Sequence, residues 1–285
     1  MSQEQKENLF QGDIFYPNDE IEMLIFILTV ALVFATAVFM SMTGKGGGNL
    51  YVPILVISGI SMHVAATTSQ LLIIVAALVT LIVFHGERYI DWKLALILDP
   101  PTDIMAFFGG YYSHLFSGQA LKIIFAIFVF IAGILMLYPM RNASSYTIKR
   151  GFGFWYREYN GREYIINLWL AIPIAALTGF ISGMVGMAGA TFKIPLMVLA
   201  CGIPMKIAIA TSSFMVATTA FMGFSGHLIQ GDMELAQVIP LAIVVAIGGF
   251  VGGRLAIKIN PEKLRRIFAY TTLFASVIMI VDVLL

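Results

Sequence analysis

The sequence predicts an all-α polytopic membrane protein made of two homologous halves, and three observations support this fold class. Only 12% of the 285 residues are charged and 59% are hydrophobic, whereas soluble domains carry about 25% charged residues. Several runs are apolar enough to cross a bilayer, and the second part of the chain repeats the first. We therefore expect a protein that is embedded in a lipid bilayer.

Apolar runs define the membrane segments. Seven runs of 18 or more residues contain no Asp, Glu, Lys or Arg, and a helix crosses a bilayer with about 20 such residues. Because the runs do not alternate in polarity, they predict helices and not the strands of a membrane barrel. With glycine-broken helices included, we expect about eight to ten membrane segments. The runs are residues 23–44, 46–86, 104–121, 123–140, 164–192, 207–231 and 235–253.

Composition also limits what the protein binds. The net charge of +1 argues against a nucleic-acid partner. The one cysteine, Cys201, excludes an internal disulfide and a cysteine metal cluster. The histidines lack metal-ligand spacing, so we predict loop or interface positions for them, no metal site and no cofactor. They are His63, His85, His114 and His227.

An internal repeat divides the chain. Residues 43–53 align with residues 185–195 at an offset of 142, and after one inserted residue the alignment continues at an offset of 143. The aligned pairs include Gly44 with Gly186, Gly47 with Gly189, Pro53 with Pro195, Thr68 with Thr211, and Ser69 with Ser212. The predicted parts are a polar tail over 1–20, a membrane repeat over 21–140, a cytoplasmic linker over 141–163 and a second membrane repeat over 164–285.

Charge patterning predicts how the halves are oriented, because cytoplasmic loops are enriched in Lys and Arg. If each half crosses the membrane an odd number of times, twelve Lys and Arg residues fall on one side and two on the other. This bias predicts inverted repeats in the inner (plasma) membrane with both termini outside. An even number of crossings gives eight against nine, which is no bias.

Glycine-rich stretches interrupt the apolar runs at the same place in each half, over residues 43–49 and 185–191. Irregular backbone is tolerated in a bilayer where protein covers it or it lines a cavity, and paired breaks in inverted repeats are typical of a midplane transport site. We expect a helix to restart after each break, with Asn49 and Thr191 at N-cap-like positions, and a helix N-terminus favours an anion. The predicted substrate-binding residues are Lys45, Gly46, Gly47, Gly48, Asn49, Thr67, Thr68, Ser69, Gly189, Thr191, Thr211, Ser212 and Ser213.

Each of these features also has a purely structural explanation. Membrane-helix glycines often serve only close packing, and Thr or Ser hydroxyls usually bond to their own helix backbone. Lys45, Lys193 and Lys206 are candidates to attract the anion from the cavity wall, but Lys193 and Lys206 are also long enough to snorkel to an interface. Asp99 and Asp103 lie four residues apart on one helix face. We interpret Asp99 as the N-cap of a helix that begins at Pro100, and Asp103 as a candidate for proton coupling.

The motif pattern resembles the TauE/SafE sulfite-exporter family over residues 21–283. The residues that carry the resemblance are Gly44, Gly46, Gly47, Gly48, Pro53, Thr68 and Ser69, then Gly186, Gly189, Pro195, Thr211 and Ser212. The resemblance implies export of sulfite, sulfoacetate and other small sulfur oxyanions or organosulfonates. The chain departs from the family pattern at Ala188 and Ala190, where glycine is usual, and at Lys45, where an apolar residue is common.

Together these observations predict a secondary transporter, in the exporter direction, for small sulfur-containing anions. Its site lies at the midplane between the two repeats, and protons are candidate coupling ions. We predict that it is not an enzyme, because the chain has no HExxH or GxSxG motif. A passive anion channel is the main alternative since it would have the same lining, and an intramembrane enzyme is the less favoured one.

Overall fold

The structure is a computed structural model that describes residues 20–44, 47–85, 89–137, 152–159, 161–187, 189–229 and 235–284. Within these ranges seven helices are long and apolar enough to cross a membrane. A further helix of 21 residues, Trp92–Tyr112, contains Asp99, Asp103 and two prolines, and the apolar helix Gly48–Ile57 is shorter than a span. The predicted helical membrane architecture is therefore confirmed, with seven clear candidate spans.

The described part of the first half forms five α-helices. They are α1 (Glu20–Met42), α2 (Gly48–Ile57), α3 (Met62–His85), α4 (Trp92–Tyr112) and α5 (Gly118–Leu137). Gly44 and Gly47, with φ of 71° and 111°, lie between α1 and α2. A short 3₁₀ turn, Ser113–Leu115, joins α4 to α5.

The described part of the second half follows the same order. Its helices are α6 (Leu168–Val185), α7 (Ala190–Pro195), α8 (Met205–Leu228), α9 (Leu235–Lys258) and α10 (Pro261–Leu284). Gly186 and Gly189, with φ of 80° and 69°, lie between α6 and α7. A π-helical turn, Leu196–Ala200, extends α7.

Helix α4 begins earlier than the sequence suggested. Its N-cap is Asp91, whose Oδ1 accepts from the backbone N–H groups of Lys93 at 3.2 Å and Leu94 at 3.3 Å. Asp99 therefore lies inside the helix, and its predicted N-cap role is wrong. Pro100 and Pro101 are accommodated in the helix interior, because burial of α4 between α6 and α8 outweighs the local cost of the prolines.

A β-hairpin joins the halves, which the all-α prediction did not include. Strands β1 (Phe154–Tyr159) and β2 (Arg162–Asn167) pair antiparallel. The side chain of Arg157 bonds both carboxylate oxygens of Asp91, at 2.8 and 2.9 Å, and Tyr164 donates to the same carboxylate. The hairpin is thereby fixed to the loop that precedes α4.

Equivalent helices of the two halves make equivalent packing contacts. Helix α4 packs on α6 and α8, as α9 packs on α1 and α3, while α3 packs on α8 and α5 on α10. A Cβ on Gly109 of α4 would lie 2.0 Å from the carbonyl oxygen of Phe180, and one on Gly252 of α9 would lie 2.2 Å from that of Val38. Both contacts need glycine, because a side chain would separate the helices.

Candidate functional site

The two glycine breaks meet in the interior, joined by two equivalent hydrogen bonds. Ser69 Oγ in the first half donates to the carbonyl oxygen of Gly186 in the second, at 2.9 Å. Ser212 Oγ, the equivalent of Ser69, lies 3.1 Å from the carbonyl oxygen of Gly44, the equivalent of Gly186, and 2.9 Å from that of Ile209, so the two carbonyls share its one hydroxyl proton. Each half thus stabilises the break in the other half.

Gly44 and Gly186 are required at these contacts for two reasons. Both have a positive φ, which strains any residue with a side chain. A Cβ on Gly186 would lie 2.4 Å from Ala66 Cα, and one on Gly44 would lie 2.7 Å from the carbonyl oxygen of Ile209. At these distances the backbone of each break packs directly on the N-terminal part of α3 or α8.

Asn49 and Thr191, which are equivalent residues, bond to each other. The Thr191 hydroxyl donates to Asn49 Oδ1 at 2.5 Å, and both side chains are buried. The predicted N-cap positions are wrong by two residues, because the N-caps are Gly47 and Gly189. Asn49 and Thr191 instead lie in the first turns of α2 and α7.

Two polar groups of α2 have no hydrogen-bond partner among the described residues. Asn49 is 2% exposed, and its Nδ2 has no acceptor. Tyr51 is 0% exposed, and its hydroxyl has no partner. The Tyr51 ring lies over Gly47, since a Cβ there would be 2.8 Å from the hydroxyl oxygen. Unsatisfied buried donors cost about 1–3 kcal/mol each unless a ligand or water binds them.

Several predicted binding residues are instead bonded to the protein backbone. Thr67 donates to the carbonyl oxygen of His63 at 3.0 Å, and Ser213 to that of Ile209 at 3.0 Å. Such bonds to the preceding turn are the structural role that the sequence left open. Gly48 lies against the Gly186 carbonyl, and Thr68 is buried. Lys45 and Gly46 lie outside the described residues.

The side chain of Thr211 faces Asp91, whereas that of the adjacent Ser212 faces Gly44 at a glycine break. Thr211 Oγ1 accepts from the backbone N–H of Asp91 at 3.0 Å. Burial alone raises the pKa of the Asp91 carboxyl, but hydrogen bonds from Arg157, Tyr164 and the Leu94 N–H, with the charge of Arg157, bring the pKa below its ordinary value. Asp91 therefore connects the first half, the linker and the second half as an ionised residue.

A buried ionic cluster joins α4, α7 and α8. Lys193 Nζ bonds Asp99 Oδ1 at 2.6 Å and Thr219 Oγ1 at 2.8 Å. The Thr219 hydroxyl donates to Asp103 Oδ1 at 2.6 Å, and Thr218 donates to Asp99 Oδ2 at 2.6 Å. Lys193 is 2% exposed, so the snorkelling alternative does not apply to it. The Lys193 ammonium is stabilised by an ion pair with the Asp99 carboxylate.

This cluster spans both halves but is not repeated at the equivalent positions. The positions equivalent to Lys193, Asp99 and Asp103 are occupied by Tyr51, Ala242 and Ala246, and those equivalent to the two threonines by Val75 and Ala76. The backbone arrangement is therefore duplicated, whereas the titratable chemistry is not.

Sequence reasoning missed Tyr51, Thr218 and Thr219 as members of these clusters, and it did not pair Lys193 with Asp99. The offset of 142 pairs Tyr51 with Lys193. This pairing indicates that the two residues occupy equivalent positions in the two repeats. His227, predicted at a loop or interface, is fully buried near the end of α8 and lies 2.9 Å from the Gly183 carbonyl. That prediction is wrong, because the imidazole ring is buried between α8 and α6 and makes a polar contact there.

Comparison with known proteins identifies the family. The family model described as sulfite exporter TauE/SafE matches residues 29–279. This chain belongs to the TauE/SafE family. The "Probable membrane transporter protein YunE" of Bacillus subtilis is 26% identical over 247 residues, which cover 83% of this chain and 89% of that protein. A "Probable membrane transporter protein" of Methanocaldococcus jannaschii is 27% identical over 263 residues, which cover 86% of this chain and 92% of that protein.

A plant relative carries a more specific name. The "Sulfite exporter TauE/SafE family protein 5" of Arabidopsis thaliana is 26% identical over 106 residues, which cover 36% of this chain and 24% of that protein. No solved structure matches this TauE/SafE chain. The predicted family and the predicted multi-pass membrane transporter class are confirmed.

Proposed function

We propose that this TauE/SafE protein is a secondary transporter that exports small sulfur-containing anions, such as sulfite or organosulfonates. The family description supports the substrate class, and the relatives named as membrane transporters support a carrier and not an enzyme. The site lies where the two glycine breaks meet, and the substrate would be bound by neutral donors.

One observation carries this site: the buried Nδ2 of Asn49 has no acceptor among the described residues. The Oδ1 of the same side chain is occupied by Thr191, so the amide presents its N–H groups at the start of α2. An anion oxygen would satisfy that donor, and the positive end of the helix dipole favours the same charge. The Tyr51 hydroxyl offers a second donor at the same break.

We infer that the halves are inverted repeats. Equivalent helices α5 and α10 run antiparallel, since Lys122 near the start of α5 pairs with Asp282 near the end of α10 at 2.6 Å. Gln70, in the N-terminal half of α3, lies against Gly223, in the C-terminal part of its equivalent, α8. Antiparallel packing of equivalent spans supports inversion, and a midplane site at the repeat interface follows from it.

Contacts also support the orientation predicted from charge. Residues 89–91 contact the linker hairpin through Arg157, and they contact the end of α9 through Lys206, which lies near both Tyr89 and Ile257. The basic loops therefore meet at one end. The Lys122–Asp282 pair supports a position for the start of α5 and the C-terminal end of α10 at the opposite end of the protein. We propose that the basic end is cytoplasmic and that both termini are outside.

We further propose that Asp103 binds the coupling proton. The cluster contains two carboxylates and one ammonium, so full ionisation leaves one uncompensated negative charge in a buried site. Uncompensated buried charge is unfavourable, and one proton would neutralise it. Asp99 pairs directly with Lys193, whereas Asp103 is more exposed and reaches Lys193 only through Thr219. Asp103 is therefore the carboxylate that exchanges its proton.

The test of this function is labelled sulfite flux in proteoliposomes with and without an imposed pH gradient. We expect the gradient to accelerate flux in the wild-type protein. Asn49→Leu should raise the KM about tenfold or more, since a good hydrogen bond to a charged group contributes about 1.5–3 kcal/mol. Ser213→Ala is the matched control, because that hydroxyl bonds its own helix, and its KM should not change.

The outcomes separate the alternatives. Flux that ignores the pH gradient but follows the sulfite gradient would indicate a passive anion channel. A chemically altered substrate would indicate an intramembrane enzyme. An unchanged KM in Asn49→Leu would remove that amide from the site, and absence of flux with sulfite and sulfoacetate would contradict the proposed substrate class.

A further inference from the structure

A groove outside the proposed transport site lies between the end of α3 and the end of α9. Its volume is about 520 Å³. Its walls are largely apolar and face outward, with Ile82 74% exposed and Phe250 42% exposed. The lining residues are Ile82, Val83, Phe250, Arg254, Ile257 and Lys258. An exposed apolar wall of this kind in a membrane protein faces lipid chains.

Two cations lie at the rim of this groove. Arg254 and Lys258 are four residues apart and therefore share one face of α9. Both are exposed, and neither pairs with a carboxylate among the described residues. The Arg254 guanidinium lies 4.3 Å from the centre of the Phe250 ring, which places the charge directly over the apolar wall.

Capping of the helix end does not account for these two cations. Basic residues at a helix C-terminus often neutralise its free carbonyls. Here Lys206 of α8 does so, because its Nζ bonds the carbonyl oxygen of Ile257 at 3.0 Å. Lys206 is also held near the Tyr89 ring, at 5.9 Å. Arg254 and Lys258 are thus added to an end that is already positively charged.

We propose that this groove is a binding site for an anionic phospholipid. Its phosphate binds between Arg254 and Lys258, and one acyl chain lies along Phe250 and Ile82. A lipid fits better than a soluble phosphate, because the apolar wall continues from the charged rim and is exposed on the membrane-facing surface. The basic end of the protein is where anionic headgroups attract Lys and Arg. The inference does not depend on the proposed transport function.

The test is native mass spectrometry of the purified full chain titrated with phosphatidylglycerol or phosphatidylcholine. We expect the wild-type protein to retain phosphatidylglycerol preferentially. The double variant Arg254→Gln/Lys258→Gln should lose roughly tenfold or more in affinity, since each basic residue near an anionic headgroup is worth about a fivefold factor. Lys263→Gln/Arg266→Gln is the control, because it removes two exposed charges at the start of α10 that do not line the groove.

Three results would overturn the proposal. Equal retention of the two lipids by the wild-type protein would show no headgroup recognition. Equal losses in the two double variants would show that only the overall surface charge matters. Displacement of bound lipid by an equal concentration of glycerol 3-phosphate would show a soluble phosphate site that does not use the apolar wall.

Discussion

Removal of the buried ammonium is the sharpest test of the ionic cluster. Lys193→Met keeps an unbranched apolar side chain of similar length but leaves Asp99 and Asp103 without a cation. Lys193 Nζ and Asp99 Oδ1 are 2.6 Å apart, and the two side chains are 2% and 5% exposed. At an effective dielectric constant of about 20, this pair is worth about 6 kcal/mol before the cost of desolvation.

The expected loss is smaller than that Coulomb energy. Breaking a buried pair by removing one partner typically costs about 3–5 kcal/mol, because the remaining charge is left uncompensated. We expect Lys193→Met to lower the free energy of unfolding by that amount in detergent micelles, measured by SDS titration at neutral pH. Adding Asp99→Asn should recover more than half of the loss, because it removes the carboxylate that Lys193 contacts directly.

The matched control is Lys206→Met, which removes a half-buried lysine that bonds one backbone carbonyl. It should cost about 1 kcal/mol. The reasoning is refuted if Lys193→Met costs no more than this control. It is also refuted if the Asp99→Asn/Lys193→Met double variant is no more stable than Lys193→Met alone.

Three further predictions concern other parts of the structure. Gly186→Ala should destabilise the protein by over 3 kcal/mol, whereas Gly161→Ala should cost about 1–2 kcal/mol. Both glycines have a positive φ, but a Cβ would collide with Ala66 at Gly186 and would meet no atom within 4 Å at Gly161. Similar thermal denaturation of the two variants would contradict this. Ser69→Ala should cost about 1 kcal/mol by the same assay, and Ser212→Ala should cost no more than that, because the Ser212 proton is shared between the carbonyl oxygens of Gly44 and Ile209. A larger loss in Ser212→Ala would contradict this. The folded-state pKa of Asp91 is lowered. Its stabilisation of the hairpin should therefore be complete above its ordinary pKa and lost as the pH falls below about 4. The contrary result would be a loss of protection from hydrogen exchange in residues 154–167 that begins already between pH 7 and pH 5.

The repeat was visible in the sequence, whereas the contacts between repeats were not. An offset of 142 or 143 shows which residues are equivalent, such as Ser69 and Ser212. It does not show that Ser69 reaches across to Gly186, which requires the two halves to be placed against each other. Lys193 and Asp99 are likewise 94 residues apart in sequence, so no local pattern could pair them.

Local sequence signals indicate the wrong helix start at α4 but the correct structure in the linker. Asp99 followed by two prolines reads as a helix start, but tertiary packing continues the helix through them. The linker contained a recognisable hairpin signal, because the Asn160–Gly161 pair lies between two aromatic-rich runs. The strands form there as that signal indicates, and the contacts that hold them to Asp91 could only come from the folded structure.

The central claim is that anion transport is coupled to a proton at Asp103. It is tested most directly by following sulfoacetate flux and internal pH together in the same proteoliposomes. Sulfoacetate is preferred to sulfite here, because its acidic groups stay ionised near neutral pH and do not carry protons themselves. We predict that an imposed sulfoacetate gradient moves protons in the wild-type protein, whereas Asp103→Asn transports sulfoacetate without a change in pH. Sulfoacetate flux without proton movement in the wild-type protein, or equal proton movement in Asp103→Asn, would contradict the account.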